Sequence, residues 1–409
     1  MNCRHCHTPV SLPFIDLGTM PPSNAYLEQA PTGSQREPRF PLRVLVCEQC
    51  WLVQTEDVLS AQQLFSAEYA YFSSFSKSWL AHCERYAELM IDRLRLDTNS
   101  RVIEIAANDG YLLQYFRARA IPCAGVEPTA AAASAARRRG LDIIEQFFGA
   151  ALGRELRATR GPADLLIANN VLAHVPDIND FVGGFRELMA PTGVATFEFP
   201  HLLRLRTQVQ FDTIYHEHYS YLSLISVLSI LGKQQLEVFD VEELLTHGGS
   251  LRLYVQHKDT GINPLSPRVT QILGHERDAG MDRCAFYTGF QDQVDRVSTS
   301  FREFLQRAHS QGLRIAAYGA AAKGNTLLNY AGIGTDLIPF VVDRNPAKQG
   351  RLLPGSRIPI VPEAHLATVR PDVIIILPWN LRSEIISQLS YTKEWGGQFV
   401  TAIPEITVQ

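Results

Sequence analysis

Val102-Ile103-Glu104-Ile105-Ala106-Ala107-Asn108-Asp109-Gly110 is a short apolar run followed by a polar turn that closes on a glycine. Such a glycine lets the backbone approach a ligand closely. Further apolar runs at 123–126, 164–168 and 194–199 alternate with helical patterns, among them 111–120 and the alanine-rich 129–139. Strands that alternate with helices predict a parallel, doubly wound α/β sheet, in which ligands bind at the carboxyl ends of the strands.

Polar residues follow each of these strands and form the candidate ligand site. Glu127 ends the second strand, where a carboxylate can accept both hydroxyls of a ribose. The sequence has no G-x-G-x-x-G pattern, and the acidic turn at Asp109 repels a pyrophosphate but suits a cationic adenosine ligand, S-adenosylmethionine. An ordinary turn is the alternative. The other polar residues at strand ends are Asn108, Asn169, Asn170, His174 and His201.

Two later apolar runs, 236–240 and 250–255, are joined by a connection so short that they should pair antiparallel. A parallel sheet closed by an antiparallel hairpin is the pattern of class I methyltransferases. The predicted fold is therefore a Rossmann-like class I methyltransferase core within an α/β protein.

Length and composition bound the remaining possibilities. With 409 residues, 46% hydrophobic and 20% charged, the chain should form two or three globular domains. The net charge of -4 gives no electrostatic footprint for nucleic acid or an anionic membrane. No apolar stretch approaches a spanning helix, and the N-terminus lacks the apolar core of a signal peptide. We expect a cytoplasmic, reducing setting, where cysteines bind metal or stay free.

The first sixty residues contain two Cys-x-x-Cys pairs, Cys3 with Cys6 and Cys47 with Cys50. Each pair can grip one tetrahedral metal ion from a tight turn, so the spacing predicts a four-cysteine zinc site. Four thiolates leave no open coordination position, which makes the predicted role structural. Four unrelated thiols are the alternative. The predicted domains are 1–60 for zinc, 61–260 for the methyltransferase and 261–409 for a linker helix and a C-terminal α/β domain.

The stretch 212–221 packs two histidines, two carboxylates and three tyrosines into ten residues. Histidines titrate near neutrality and hydroxyls can donate to a developing oxyanion, so the cluster indicates acid-base chemistry. A polar helix start with structural histidines is the alternative. Chelation of a metal by His216 and His218 is disfavoured, since no third ligand is evident.

The C-terminal part has its own α/β pattern. A helix is expected over 286–312, and strands over 314–318, 338–342 and 373–377. Residues 319–326 open a helix with small residues and Lys323, which together suit an anion. A degenerate Rossmann-like domain with a purely structural role is the alternative.

These motifs together resemble nucleotide-sugar C-methyltransferases along essentially the whole chain. The family's signature, Tyr-His-Glu-His followed by Tyr-Ser-Tyr, is matched by residues 215–221. Its zinc domain is matched by the four cysteines, and its methyl-donor motifs by residues 104–113, 125–128 and 168–176. Its C-terminal motifs are matched by residues 319–326 and 343–350.

The resemblance implies a set of site residues and a substrate. His218 is the implied base, with Tyr215, Glu217, His174 and Tyr69 in the catalytic site. The implied substrate is a keto-sugar on a nucleoside diphosphate, with no nucleic acid or membrane partner; the oligomeric state stays open, a monomer being slightly favoured. The implied cofactor contacts are Glu104, Ala106, Asn108, Asp109, Gly110, Tyr111, Leu112, Glu127, Pro128, Asn169 and Asn170, and the substrate contacts Tyr71, Ser73, His201, Lys323, Asn325 and Arg344.

A carbon atom is a poor nucleophile unless a carbonyl lies beside it, so C-methylation predicts a 4-keto sugar. His218 would remove the neighbouring proton, and Tyr215 or a protonated His174 would stabilise the oxyanion. An O-methyltransferase is the main alternative. An RNA-directed zinc protein is disfavoured by the acidic balance, and a nicotinamide oxidoreductase by the missing glycine pattern.

Overall fold

The computed structural model describes residues 1–28, 37–65 and 72–409. Its strands are β1 (Leu12–Met20), β2 (Leu27–Glu28), β3 (Phe40–Val46), β4 (Val53–Thr55), β5 (Val102–Ile105), β6 (Cys123–Val126), β7 (Asp142–Ile144), β8 (Ala163–Asn169), β9 (Met189–Pro200), β10 (Ser220–Tyr221), β11 (Leu236–Leu244), β12 (Ser250–His257), β13 (Ile315–Tyr318), β14 (Val341–Val342), β15 (Arg351–Leu352), β16 (Ile360–Val361), β17 (Val373–Ile376), β18 (Gln398–Thr401) and β19 (Thr407–Val408).

The α-helices are α1 (Ala61–Leu64), α2 (Lys77–Leu94), α3 (Leu113–Ala118), α4 (Ala130–Arg138), α5 (Ala150–Arg160), α6 (Ile178–Leu188), α7 (Leu202–Thr207), α8 (Leu224–Lys233), α9 (Pro267–Asp278), α10 (Cys284–Tyr287), α11 (Phe290–Ser310), α12 (Ala322–Ala331), α13 (His365–Val369) and α14 (Arg382–Gln388). Short 3-10 helices cover Ser73–Phe75, Leu172–His174, Phe211–Thr213, Thr246–Gly248, Trp379–Leu381 and Ser390–Trp395.

The chain divides into two compact units that interleave in the sequence. The first contains Met1–Leu12, Leu45–Leu203 and His218–Tyr287, and the second contains Pro13–Val44, Arg204–Glu217 and Thr288–Gln409. The predicted domains were consecutive instead. Much of the predicted zinc domain belongs to the second unit, where β2 pairs antiparallel with β15. Sequence motifs do not reveal the pairing of β2 with β15, because two strands more than three hundred residues apart leave no local signal.

The first unit is built around a seven-stranded sheet in the order β11-β12-β9-β8-β5-β6-β7. Strands β7, β6, β5, β8 and β9 pair in parallel, whereas β12 pairs antiparallel with both β9 and β11. This is the predicted parallel sheet closed by an antiparallel hairpin. β7 was not anticipated, because a three-residue strand is too short to show a periodic pattern.

Apolar side chains project from both faces of this sheet, so helices must cover both faces. Ile103 and Leu166 join one core with Phe181 and Phe185 of α6, and the helices α5, α8 and α9 contribute to it as well. On the other face, Val102, Leu165 and Ile167 pack with α2 and α3. Burial on both faces explains why these strands are continuous apolar runs. The carboxyl ends of β5, β6 and β8 stay open to a ligand.

The second unit has a six-stranded sheet in the order β16-β14-β13-β17-β18-β19, parallel except for the last strand. It matches the predicted C-terminal α/β pattern, although β14 is only two residues long. α11 matches the helix expected over 286–312, with Phe290, Val294, Phe301 and Leu305 buried along one face. No helix of the described residues is long and apolar enough to cross a membrane.

Gly125 lies in a closely packed region beneath the strand ends. A Cβ atom there would lie 2.5 Å from the Ala107 Cβ, 2.7 Å from the Ile143 Cδ1 and 3.0 Å from the Leu113 Cδ1. We expect Gly125→Ala to destabilise the protein by about 1–3 kcal/mol, because the buried neighbours have to move. Chemical denaturation of the purified protein measures this change.

Gly232→Ala is the matched control. Gly232 lies in α8, and a Cβ atom there would meet nothing within 4 Å. Alanine is the better helix former, so this variant should be about as stable as the wild type or more stable by up to about 1 kcal/mol. Equal stability losses in the two variants would contradict the close packing at Gly125.

Candidate active site

A cavity opens in the first unit at the carboxyl ends of β5, β6 and β8. His174 lines it together with seven of the predicted cofactor residues, which are Ala106, Asn108, Tyr111, Glu127, Pro128, Asn169 and Asn170. Aromatic side chains from several elements complete the wall. They are Phe65, Trp79, Phe147, Phe148 and Phe181.

The backbone around this cavity is strained at several non-glycine residues. Ala106, Asn108, Asn170 and His247 all line the cavity and have φ angles of 59°, 48°, 53° and 54°. A positive φ is costly for a residue with a Cβ atom, and such strain concentrates at ligand sites that the surrounding fold holds in place. Here it bends the strand ends so that backbone and side chains turn toward the cavity.

Glu127 is fixed by the turns around it. Its Oε2 accepts the Asn108 backbone N–H at 2.9 Å and its Oε1 accepts the Thr129 N–H at 2.9 Å and the Thr129 hydroxyl. Burial raises the pKa of this carboxyl, while the hydrogen bonds from Thr129 and Asn108 oppose the rise. The carboxylate is 4% exposed at the cavity wall, with lone pairs left over for ribose hydroxyls.

Both polar atoms of the buried Asn169 side chain, which lines the cavity, have no hydrogen-bond partner among the described residues. Glu104 is fully buried and interacts with Tyr111, which also lines the cavity. Burial raises the pKa of Glu104 well above its usual range. Buried unpartnered polar groups are rare and call for an explanation. A bound ligand with polar edges would satisfy Asn169, and the Glu127 carboxylate at the cavity wall suits ribose hydroxyls, so the site fits S-adenosylmethionine.

Four predicted cofactor residues do not line the cavity: Glu104, which is buried within β5, and three residues that follow this strand. Asp109 is buried beside Ser74, whose hydroxyl donates to its Oδ2, and Arg139 lies 3.3 Å from the same oxygen. Gly110 has a φ of 79° and forms the tight turn, and Leu112 is fully buried in the core. These residues shape the turn that follows β5.

Several cavity residues were not found from the sequence. Trp79 on α2 stacks on His82, with ring centroids 5.0 Å apart, and His82 bonds the buried Glu198 at 2.9 Å. Glu198 also accepts from Arg252 at 2.7 Å. Although burial opposes it, the His82 hydrogen bond and the Arg252 charge lower the pKa of Glu198 to about 2. The carboxylate thus anchors the aromatic wall from behind.

His247 closes the same wall. Its ring lies 5.1 Å from the ring of Trp79, and the Asn170 Nδ2 is 3.2 Å from its Nε2. The residue follows Thr246, whose hydroxyl donates to Glu198 at 2.9 Å. The sequence shows only His-Gly-Gly in a hairpin connection here, which is an ordinary turn signal.

The structure brings two of the predicted catalytic histidines together. The rings of His174 and His218 are 4.6 Å apart and nearly perpendicular, and the Tyr221 ring is 6.1 Å from that of His218. His174 lines the cavity, so His218 lies one ring away from the cavity wall. The Thr55 hydroxyl donates to the His218 carbonyl at 3.2 Å, which fixes the backbone of the histidine.

In the second unit, Glu217 is buried and held by Asn24, whose Nδ2 lies 2.8 Å from each carboxylate oxygen. Tyr215, half-buried, precedes it by two residues. His216 is buried, with its Nε2 3.2 Å from the Pro41 carbonyl, and burial lowers its pKa. Asn24, in the loop before β2, carried no signal in the sequence.

Lys323 lies at the start of α12 in a compact polar group of the second unit. Its Nζ donates to the Asn380 Oδ1 at 3.0 Å and lies 4.8 Å from the centre of the Trp379 ring. The indole of Trp379 donates to the fully buried Asp212 at 2.7 Å. Burial raises the pKa of Asp212 to about 6, against the charge of Lys323. Burial also lowers the pKa of Lys323, and Asp212 opposes that change.

Asn325 and Arg344, the other two residues predicted to bind the nucleotide, make their hydrogen bonds outside this polar group. The Asn325 amide donates to the Ser23 carbonyl at 2.6 Å and is buried. Arg344 is half-exposed and donates to Gln388 at 3.0 Å, with Glu363 4.0 Å away. Asn325 therefore holds the framework in this structure, while the Arg344 guanidinium still faces solvent.

The remaining predicted substrate contacts have mixed outcomes. The structure does not bring His201 to the cavity lining; its buried ring bonds Glu276 at 2.7 Å. Glu276 in turn accepts the Leu224 and Ile225 backbone N–H groups at the start of α8, so His201 supports a helix cap. Ser73 lines the cavity. Tyr69 and Tyr71 lie outside the described residues.

The four predicted metal ligands converge. The sulfurs of Cys3 and Cys50 are 3.6 Å apart, those of Cys6 and Cys47 are 3.4 Å apart, and all four lie within 4.8 Å of one another. Four sulfurs at this spacing fit the corners of a tetrahedral zinc site. The four thiolates leave no open coordination position, and none of these cysteines lines the cavity. Both features are expected of a structural zinc ion.

Comparisons with known proteins agree with this geometry. Residues 3–65 match a zinc binding domain family, residues 79–241 a methyltransferase domain family and residues 245–404 the C-methyltransferase C-terminal domain family. C-methyltransferase NovU from Streptomyces niveus is 35% identical over 404 residues, which cover 98% of this chain and 95% of NovU.

Two solved structures each match less than half of this chain. A S-adenosylmethionine-dependent methyltransferase from Anabaena variabilis is 14% identical, covers 44% of this chain and 86% of its own, and has a TM-score of 0.36. The PH0226 protein from Pyrococcus horikoshii is also 14% identical, covers 46% and 95%, and has a TM-score of 0.39. The fold class is therefore assigned from the strand order and the family match.

The strand order, the donor cavity and the family matches define a class I methyltransferase that uses S-adenosylmethionine and carries a structural zinc site. With a relative of this identity over nearly its whole length, the chain belongs to the sugar C-methyltransferase family that includes NovU. The resemblance in the sequence motifs is confirmed, and the enzyme transfers methyl groups to carbon.

Glu127→Gln should weaken binding of S-adenosylmethionine by roughly 10- to 100-fold in titration calorimetry. The substitution removes a charged acceptor for ribose hydroxyls, and hydrogen bonds to charged groups contribute about 1.5–3 kcal/mol. Because burial raises the pKa of Glu127, the carboxyl protonates at a higher pH than usual. Wild-type affinity should therefore fall as the pH drops through that raised pKa, and Glu127→Gln should lose this dependence.

Glu187→Gln is the control, because Glu187 lies on the exposed side of α6 and pairs only with Arg154 in the first unit's described ion pairs. It should bind the donor like the wild type. Unchanged affinity in Glu127→Gln would contradict the ribose assignment.

Cys50→Ser should lower the zinc content from about one ion per chain toward zero, because serine is a poor zinc ligand at neutral pH. Elemental analysis of the purified proteins measures this. Cys284→Ser serves as the control: that thiol lies beside Glu48, outside the four-sulfur cluster. Full zinc occupancy in Cys50→Ser would refute the predicted ligand set.

Proposed function

We propose that the protein methylates a carbon beside the ketone of a 4-keto deoxysugar carried on a nucleoside diphosphate, with His218 as the base. The observation that carries the proposal is the position of His218, 4.6 Å from the cavity-lining His174. The C-methyltransferase family adds the reaction class. When bound, S-adenosylmethionine supplies an electrophilic methyl group.

His218 has the properties that the first step needs. A carbon acid beside a ketone loses its proton only to a base held close to it, and imidazole titrates near neutral pH. The His218 backbone is tied to Thr55, and its ring packs edge-on against His174. In the proposed step His218 takes the proton and the C–H electron pair forms an enolate. The enolate carbon would then bond to the donor methyl group while the methyl–sulfur bond breaks, leaving S-adenosylhomocysteine.

The enolate oxygen needs a hydrogen-bond donor as its charge develops. We assign this role to Tyr215 or to a protonated His174, as the motif implies. Glu217 is proposed to orient a histidine or to bind a sugar hydroxyl, and the two contacts from Asn24 fix its carboxylate for either task. Tyr69 remains part of the proposed catalytic set.

For the nucleotide we propose Lys323 and Arg344 as the cationic contacts. Lys323 presents an ammonium group next to the Trp379 ring, and Arg344 has a half-exposed guanidinium. Asn325 supports α12 through Ser23 and is proposed to act on the nucleotide through that framework. The loop before α12 is less suited to anions than its sequence suggests, because the Ala320 N–H already donates to Asp343 at 2.8 Å.

His218→Gln should lower the rate of C-methylation by about 100- to 10,000-fold, the usual contribution of a general base. Affinity for S-adenosylmethionine should change little. The measurement is mass spectrometry and NMR of products from a panel of nucleotide-linked 4-keto sugars. In heavy water without the donor, the wild type should exchange the proton beside the ketone, and the variant should not.

His309→Gln, an exposed position on α11, should behave like the wild type in both assays. A new methyl group on oxygen, or no methylation of any keto sugar by the wild type, would refute the proposed substrate class. Proton exchange that persists in His218→Gln would move the base to another residue.

A further inference from the structure

Arg4 lies between two of the zinc ligands, Cys3 and Cys6, and its side chain is 3% exposed. The guanidinium donates to two backbone carbonyls: Nη2 to Thr55 at 2.8 Å and Nη1 to Pro176 at 3.1 Å. The arginine thus links the zinc knuckle to two separate segments of the first unit.

The Thr55 carbonyl belongs to the strand that supports His218. Thr55 ends β4, its hydroxyl donates to the His218 carbonyl at 3.2 Å, and its N–H donates to the Tyr219 carbonyl at 3.1 Å. β4 then pairs antiparallel with β10, which begins at Ser220. The Arg4 guanidinium also lies 5.2 Å from the centre of the Tyr219 ring. One side of the arginine therefore faces the backbone that carries His218.

The Pro176 carbonyl belongs to the segment that carries His174. Pro176 follows His174 by two residues, just after the 3-10 helix Leu172–His174. His5, the neighbour of Arg4, strengthens this contact: its Nδ1 is 2.8 Å from the Asn179 Oδ1. The Asn179 amide donates back to the His5 carbonyl at 2.9 Å. The other side of the knuckle therefore holds the segment of the cavity wall that contains His174.

We propose that Arg4 is a positioning residue that sets the geometry of the His174–His218 pair from the zinc knuckle. The proposal rests on the proposed function for its catalytic consequence, since His218 is there the base. Arg4 itself touches neither ring among its described hydrogen bonds. It acts through the two carbonyls that bracket the pair.

Arginine suits this task better than lysine. A planar guanidinium with donors at fixed angles can hold two carbonyls at once, whereas an ammonium on a flexible stem cannot fix both. The Nη2 that donates to Thr55 also lies 3.0 Å from a carboxylate oxygen of the exposed Asp57. A misplacement of about 1 Å in a reactive pair can cost about 100-fold in rate.

Arg4→Met and Arg4→Lys test the proposal in the full-length, zinc-loaded protein. NMR of protein with 15N-labelled histidine should show shifted imidazole signals for His174 and His218 in both variants, less in Arg4→Lys. Signals are assigned with single His→Gln variants. We expect kcat for C-methylation to fall by about 10- to 100-fold in Arg4→Met with KM for the sugar within threefold, and Arg4→Lys to be intermediate. Zinc content should stay at the wild-type value.

Arg283→Met is the matched control, because Arg283 is an exposed arginine of the same unit. It should leave the two imidazole signals unchanged. Unshifted signals in a zinc-loaded Arg4→Lys would overturn the proposal, as would loss of zinc or of the fold in both Arg4 variants. The imidazole signals do not depend on the substrate, so they separate this proposal from the proposed function, which fails if wild-type protein methylates no keto sugar.

Discussion

The parallel pairing of β8 with β5 and β9 is the constraint on which the donor site depends. Leu165 pairs with Val102 on one side and Val194 on the other, and the three strands run in the same direction. Their carboxyl ends therefore meet at one edge, where the chain must turn away from the sheet. Both faces are covered by helices, so this edge is where polar residues can reach a ligand without disturbing the apolar core.

Several features of that edge oppose folding. Ala106, Asn108 and Asn170 hold positive φ angles there, and the Asn169 side chain is buried without a hydrogen-bond partner among the residues described. Each feature opposes folding of the empty site, and a ligand that satisfies the polar groups reverses part of that cost. The close packing under the turn, where Gly125 leaves no room for a Cβ atom, keeps the strained backbone from relaxing.

The sequence predicted those parts of the site whose signals are local. Cys-x-x-Cys pairs, a carboxylate after the second strand and the Tyr-His-Glu-His motif each fit within a few residues, and the structure places the four sulfurs together and Glu127 at the cavity. Trp79, His247 and Asn24 could not be found this way. Each matters because of a partner far along the chain, and an isolated tryptophan or asparagine has the same pattern in any core or loop. His201 shows the converse case, since this histidine at a strand end contacts Glu276 of a helix cap, 75 residues away.

The zinc site fixes the backbone near the N-terminus. A knuckle of four residues cannot bury enough apolar surface to hold its own shape, so a metal is an efficient way to fix it. Once the backbone from Cys3 to Cys6 is fixed, Arg4 can be buried with its guanidinium aimed at Thr55 and Pro176. In the positioning role that we propose for Arg4, a structural ion outside the donor cavity influences the chemistry through the two backbone carbonyls that Arg4 holds. That role would give a closed four-thiolate site, which can bind no substrate, a task beside a methyltransferase core.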